Sequence, residues 1–530
     1  MFDLVIRNGT VIDGTRAPAY SADVCIKGDR IVKIAQHAKE SAKAELDARG
    51  KSVAPGFLDI HCHSDLAPLA PFQPESMPYQ GVTFELCGNC GESLLPSTAQ
   101  NRQSITEYFV STIQYPTKGI EVTVNTMDEY AAHVQKHRET INYGMLIGHG
   151  ILRGCIMGFD NRSPTAREMS KMEQRLDQEL SMGAFGMSLG LVYPPSAFAE
   201  AEEIEALARV VRAHNGVLTV HMRNEGPRVF EAVDEMLGIA ERSGVRLQIS
   251  HLKIMTKSLW GQSKRLLKKI DAARERGVEV NCDQYPFSAS STSLTVLVPK
   301  WAHSGGISAM HERLKKPEDR LKREIAAELE SRGGPERVLI VTTHGYKPQW
   351  QGKTLAALSK EFGEGPVDTA LRVLVECRCS VNCIYFSQDE EDMLRILSRP
   401  DISVGSDGYN LSYDRSITTD IPHPRSICTF PRALELLRDK KLLPPEDAVY
   451  KMTGLPAQIL GLTDRGILAE GKIADITIFD ASAVGQVGDY KDPFQRPRGI
   501  ETVIVSGQVV MADGKLTGRR PGTVLRHKNP

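Results

Sequence analysis

The chain has 530 residues, 41% hydrophobic and 25% charged, with a formal net charge of −1. This is ordinary globular composition, and a balance this close to neutral argues against a nucleic-acid or membrane-surface partner. There is no run of about 18 apolar residues to span a bilayer. The start, Met1-Phe-Asp-Leu-Val-Ile, lacks the basic and apolar regions of a secretory signal. Ten irregularly spaced cysteines in so long a chain fit reduced, cytoplasmic thiols better than a disulfide scaffold.

Taken in order, residues 1–54 read as short strands. Residues 5–12 are predicted to form a hairpin with Asn8-Gly9 at its turn, and residues 23–32 a second one. Similar patterns return at 471–480 and 503–510. Residues 1–54 and 465–530 are therefore expected to pair into one small β-sandwich domain. Between them, strand-like runs at 185–188, 217–221, 247–251 and 278–282 recur at the length of one βα unit. Thr165 and Glu168 form a capping box, and Met169, Met172, Leu176 and Leu180 make the apolar stripe of the helix behind it. Helices are also predicted at 198–213 and 229–242, each stopped by Asn-Gly or Ser-Gly. Repeated βα units over residues 55–464 predict an α/β fold, a (β/α)8 barrel. The charged helical run at 312–331 marks an insertion near 300–336, with the last barrel strands expected at 338–343 and 402–405.

The stretch Val53-Ala-Pro-Gly-Phe-Leu-Asp-Ile-His-Cys-His-Ser-Asp65 carries the first chemical signal. A loop at Pro55-Gly56 leads into a short apolar strand, and strand periodicity puts His61 and His63 on one side. Barrel enzymes place reactive groups at the C-terminal ends of strands. The other predicted strand ends offer Cys87 and Cys90, His221, His251 and Asp407. Imidazole, thiolate and carboxylate from separate strands are what a zinc site uses. Cys87 reads as structural, and His149 and His344 as supporting residues near other strand ends.

These pieces resemble the N-acyl-D-amino-acid deacylases (D-aminoacylases) of the amidohydrolase superfamily, over nearly the whole chain. The matching elements are the Pro-Gly-Phe-Leu-Asp-Ile-His-Cys-His run, Gly88-Asn-Cys-Gly, His221-Met-Arg-Asn-Glu, Ser250-His-Leu-Lys, Asp283-Gln-Tyr-Pro, Gly405-Ser-Asp-Gly and His423-Pro-Arg. The resemblance implies a tightly bound Zn²⁺ held by Cys90, His221 and His251. It implies a second, weaker position formed by His61, His63 and Asp407 and sharing the Cys90 sulfur. Zinc-activated hydroxide would attack the acyl carbonyl, with Asp407 as general base and then general acid and Tyr193 beside the oxyanion. Lys253, Tyr285 and Ser290 or Ser291 would bind the substrate α-carboxylate, with Arg223 and Arg425 as further candidates. The implied substrate is a small N-acyl-D-amino acid, and the implied assembly a monomer or small homo-oligomer. A cyclic-amide hydrolase of the hydantoinase or dihydroorotase kind is the alternative, and a non-catalytic scaffold a more distant one. The segment Tyr409 to Asp420 is longer than the family pattern and lies over the expected mouth.

Overall fold

The computed structural model describes residues 1–528. Strands from both ends of the chain share one nine-stranded sheet. At its centre is Phe2–Val11, whose first half pairs with Ala42–Asp47 and whose end pairs with Ser52–Pro55. Ile476–Phe479 runs antiparallel to Ser52–Pro55 and carries the sheet on to Ile500–Val505 and Gln508–Ala512. The hairpin expected at Asn8-Gly9 does not form. Asn8 takes a φ of 60° and the register shifts between Ile6 and Gly9, so the dipeptide is a bulge inside one long strand. A bulge and a tight turn both use the left-handed conformation that Asn tolerates, and only the pairing partners choose between them. The sheet closes over a core that includes Leu4, Ile6, Val24, Ile31, Val53, Ile476 and Ile504.

The barrel strands are β1 (Phe57–Asp59), β2 (Val82–Cys87), β3 (Asn142–Met145), β4 (Gly186–Gly190), β5 (Val217–His221), β6 (Arg246–Ile249), β7 (Val280–Gln284) and β8 (Ser403–Val404). Each pairs in parallel with the next along β1 to β3 and β4 to β8. Ile147–Gly148, just past β3, makes the join to β4. The ring closes between β1 and β8: the Asp407 N–H donates to the His61 carbonyl (2.7 Å) and the His63 N–H to the Gly408 carbonyl (2.8 Å). These strands are almost entirely buried, as parallel strands covered by helices on one face and packed inward on the other must be. The predicted helix behind Thr165 is Ala166–Ser181, with its capping box formed in both directions. No helix among the described residues is long and apolar enough to cross a membrane.

One expected barrel strand lies elsewhere. Val338–Thr342 runs antiparallel to Asn382–Tyr385, which also pairs with Ser290–Ser293. With four helices between Gly306 and Glu376, these strands enclose a separate core that includes Leu297, Ile325, Leu329, Ile340, Leu374 and Tyr385. The insertion thus runs from about 290 to 386 and contains the predicted 300–336 stretch. A five-residue apolar run looks the same in any buried sheet; its partner strand decides where it belongs.

After β8 the chain is pinned by His423, 1% exposed. Its Nδ1 accepts the Arg425 N–H (3.0 Å) and its Nε2 lies 3.0 Å from the Ala289 carbonyl oxygen, an arrangement that requires the neutral ring. Burial first, then the nearby Arg425 charge, holds its pKa well below the usual histidine range. Between pH about 6.5 and that lowered value the unfolded chain binds a proton here that the folded chain refuses. Stability is therefore full above pH 6.5 and falls on acidification, by up to about 1.4 kcal/mol per pH unit from this residue. Urea midpoints at pH 7.5 and 5.5 should show that fall, with a shallower slope in His423→Gln.

Candidate metal centre

Three of the candidate ligands sit on strained backbone at the barrel mouth. Cys90, His251 and Asp407, just past β2, β6 and β8, have φ values of 55°, 37° and 50°. Such conformations cost non-glycine residues about 1–3 kcal/mol each and concentrate at functional sites. The glycines flanking Cys90 have a steric reason. A Cβ on Gly88 would lie 2.2 Å from the Leu146 carbonyl oxygen, and one on Gly91 would lie 2.5 Å from the Gly190 nitrogen. Gly88-Asn-Cys-Gly is a close backbone approach of the β2 end to its neighbours.

His61, Cys90, His251 and Asp407 bring ligand atoms within 4.8 Å of one another, and His221, Glu225 and His251 do the same. The Cys90 Sγ is 3.4 Å from Nε2 of His61 and 3.5 Å from Nε2 of His251. Asp407 Oδ1 lies 3.0 Å from His63 Nε2 and 3.5 Å from His61 Nε2. The His221 ring lies 4.5 Å from that of His251, and its Nε2 reaches Glu225 at 3.3 Å. The expected trio of Cys90, His221 and His251 is thus linked through His251. Both carboxylate and thiol ligands of the expected second position converge on His61.

The donor set fits a zinc-type ion. It mixes sulfur, nitrogen and oxygen, and the buried Nδ1 atoms of His63 and His221 have no hydrogen-bond partner. Burial first, then Lys253, lowers the pKa of His251 to about 3, so the ring is neutral and free to ligate. Burial also keeps the Cys90 thiol well above its ordinary value. A coordinated cation reverses that preference by stabilising the thiolate. For Asp407, burial acts upward, but the Arg425 charge, His61 and the bond to His63 hold the carboxyl well below the usual carboxylate range.

Two carboxylates that the motifs contain but that the spacing left without a role organise this centre. Asp283 lies 3.0 Å from His61 Nδ1 and accepts the His251 N–H (2.7 Å) and the Gln248 amide (2.8 Å). Glu225 accepts from Lys253 Nζ (2.6 Å) and lies 3.0 Å from His251 Nδ1. Such partners fix the orientation of ligating histidines. Glu225 stands four residues after His221, but nothing local marks it out among 66 acidic residues.

A cavity of about 520 Å³ opens above these groups, roofed by insertion residues such as Lys300, Arg332 and Asn382. Lys253, Ser290, Ser291 and Arg425 line it. The Ser290 hydroxyl is buried without a partner. Arg425 Nη1 is 2.8 Å from Asp407 Oδ2 yet makes no aligned hydrogen bond, while Nη2 donates to the Ser291 carbonyl (3.1 Å). Tyr285 stacks under Arg425 at 5.1 Å and accepts a bond from Gln388 (3.0 Å). Tyr193 packs on His221 at 4.9 Å with its hydroxyl 2.9 Å from Thr292, and burial keeps the phenol protonated. Arg223 is different: its guanidinium is committed to Glu235 and to the Ala197 and Ala199 carbonyls, so it is a structural arginine rather than a carboxylate binder. Cys87 is buried 3.5 Å from Cys62. His149 is held between Ser196 and Glu203, and His344 against Asn382.

A profile of the Amidohydrolase family matches residues 44–305 and 409–511, leaving unmatched most of the insertion and the stretch from it to Gly408. An N-acyl-D-glutamate deacylase of Alcaligenes xylosoxydans xylosoxydans is 36% identical over 99% of this chain and 96% of its own. The crystal structure of N-acyl-D-glutamate deacylase from Bordetella bronchiseptica, complexed with zinc and a phosphonate mimic of the tetrahedral intermediate, superposes with a TM-score of 0.82. It is 33% identical, with 99% of both chains covered. The D-aminoacylase crystal structure gives a TM-score of 0.84 at 34% identity, covering 99% of this chain and 100% of that one. With the barrel, the cysteine-centred ligand cluster and these full-length likenesses together, the chain belongs to the N-acyl-D-amino-acid deacylase family of amidohydrolases.

Proposed function

We propose that the chain is a zinc-dependent hydrolase that cleaves the amide of N-acyl-D-amino acids to a carboxylate and a free D-amino acid. The observation that carries this reading is the convergence of Cys90, His61, His251 and Asp407 within 4.8 Å in a chain of this family. We assign Cys90, His221 and His251 to a tightly held zinc, and His61, His63 and Asp407 to a weaker second position sharing the Cys90 sulfur. Bound zinc supplies Lewis-acid polarisation and lowers the pKa of water to about 7.

The side chains do the rest. Asp407, held ionised, takes the proton of the attacking water and returns it to the amide nitrogen, since an amine leaves only when protonated. Tyr193 remains a donor at neutral pH and faces the developing oxyanion. Lys253 and Arg425, with Tyr285, Ser290 and Ser291, receive the substrate carboxylate; Arg425 and Ser290 have donors to spare. We read residues 1–54 and 465–530 as one small domain and residues 55–464 as the catalytic barrel. Ten free cysteines support a reducing, cytoplasmic setting, and we assign a monomer or small homo-oligomer.

A panel of N-acetyl-D- and L-amino acids, acidic and neutral, assayed for amine release with and without chelator, tests this. Release from D-substrates that disappears when metal is stripped is the expected result. Activity confined to L-substrates, or undiminished after stripping, defeats the assignment.

A further inference from the structure

We propose that the acyl side of the cavity selects an N-acyl group bearing its own N–H donor, an aminoacyl or carbamoyl group, and that Glu92 is the residue that reads it. This rests on the deacylase reading and extends it to the half of the substrate that the metal centre and the carboxylate-binding residues leave unassigned.

Glu92 lines the cavity, is 6% exposed, and has an oxygen, Oε1, with no hydrogen-bond partner. A buried carboxyl oxygen without a donor is costly unless a ligand supplies one. The neighbouring hydroxyls do not meet that need. The Tyr108 hydroxyl donates to the Pro194 carbonyl (2.7 Å), Ser111 to the Tyr108 carbonyl (2.6 Å) and Thr112 to the Phe109 carbonyl (2.8 Å). Thr112 is within hydrogen-bond reach of the Glu92 carboxyl, but a donation there forfeits its bond to the Phe109 carbonyl, and Oε1 stays without a partner.

Position decides which part of the substrate reaches Glu92. It follows β2, whereas Lys253 follows β6, and these strands face each other across an eight-stranded barrel. With the scissile carbonyl at the metal centre, its nitrogen side carries Cα, the α-carboxylate and the D-side chain toward Lys253 and Arg425. The acyl substituent then points the other way, toward the β2 wall. An acetyl methyl would leave Oε1 unpaired; an ammonium or amide N–H one bond from the carbonyl or its α-carbon would satisfy it. The chemistry is unchanged: a glycyl-D-amino acid plus water gives glycine and the D-amino acid. An N-carbamoyl-D-amino acid plus water gives the D-amino acid and carbamate, which decays to carbon dioxide and ammonia.

The experiment uses shape-matched pairs on the best D-amino acid found in the panel: glycyl against propionyl, and carbamoyl against acetyl. The wild-type enzyme should favour the donor-bearing member of at least one pair, by about ten- to hundredfold in kcat/KM for the glycyl ammonium, a charged donor, and by about two- to tenfold for the neutral carbamoyl group. Preference in the glycyl pair identifies an ammonium as the recognised group; preference in the carbamoyl pair identifies a neutral amide. Glu92→Leu should bring that ratio close to one. The isosteric Glu92→Gln, with zinc content and melting temperature as folding controls, should lose a glycyl preference more than a carbamoyl one. Equal or better hydrolysis of both plain acyl partners by the wild type, or a ratio unmoved in Glu92→Leu, overturns the proposal. Either result leaves the deacylase reading intact, whereas inertness of every N-acyl-D-amino acid would end that reading instead.

Discussion

Asp407→Asn is expected to lower kcat/KM by about 10³- to 10⁴-fold, the upper part of what a positioned proton-transfer group contributes. That corresponds to roughly 4–5 kcal/mol of transition-state stabilisation. The carboxylate lies 3.0 Å from His63 and 2.8 Å from Arg425, so the variant keeps the shape of the site and loses its basicity. The tight zinc, assigned to other ligands, should stay bound. Zinc content per chain, measured with the rate, therefore separates loss of proton transfer from loss of metal. A fall of less than tenfold with zinc retained would take Asp407 out of the proton-transfer role.

Cys90→Ala should remove both metal and activity. The sulfur stands 3.4 Å from His61 and 3.5 Å from His251, and both assigned metal positions depend on it. Losing an outer partner of a metal ligand typically costs about 10- to 100-fold in affinity; losing the only thiolate of the centre should cost more. After dialysis against metal-free buffer the variant should hold little zinc and turn over at the rate of chelated wild type. The fold should survive, because the substitution removes one sulfur atom and leaves Gly88 and Gly91, with their close backbone approaches, in place. A variant that keeps one zinc per chain and wild-type turnover would show that the centre is organised without Cys90.

Much of this molecule was readable from short-range chemistry. The Thr165 and Glu168 capping box needs only three residues of spacing and forms as expected. Two-residue spacing put His61 and His63 together, though just past the end of β1 with Cys62 bridged to Gly408 between them, and both reach Asp407. Gly88-Asn-Cys-Gly pointed to Cys90 through its place at a strand end and its resemblance to the family pattern, and both flanking glycines prove sterically required. These signals lie within a few bonds of the residues they describe, where sterics and hydrogen-bond geometry are the same in any fold.

Other features depended on segments distant in the chain. Asn8-Gly9 suited a turn and became a bulge because Tyr20–Lys27 and Ala42–Asp47 pair along an unbroken strand. Val338–Thr342 had the composition of a barrel strand and went into the insertion because Asn382–Tyr385 was its partner. Glu225 and Asp283 acquire their roles only when β5, β6 and β7 bring His61, His251 and Lys253 against them. Arg223, a plausible carboxylate binder by type, is neutralised by Glu235 from the following helix. A side chain's type limits which interactions it can make, but its partner is chosen by chain closure over tens to hundreds of residues, which no local pattern encodes.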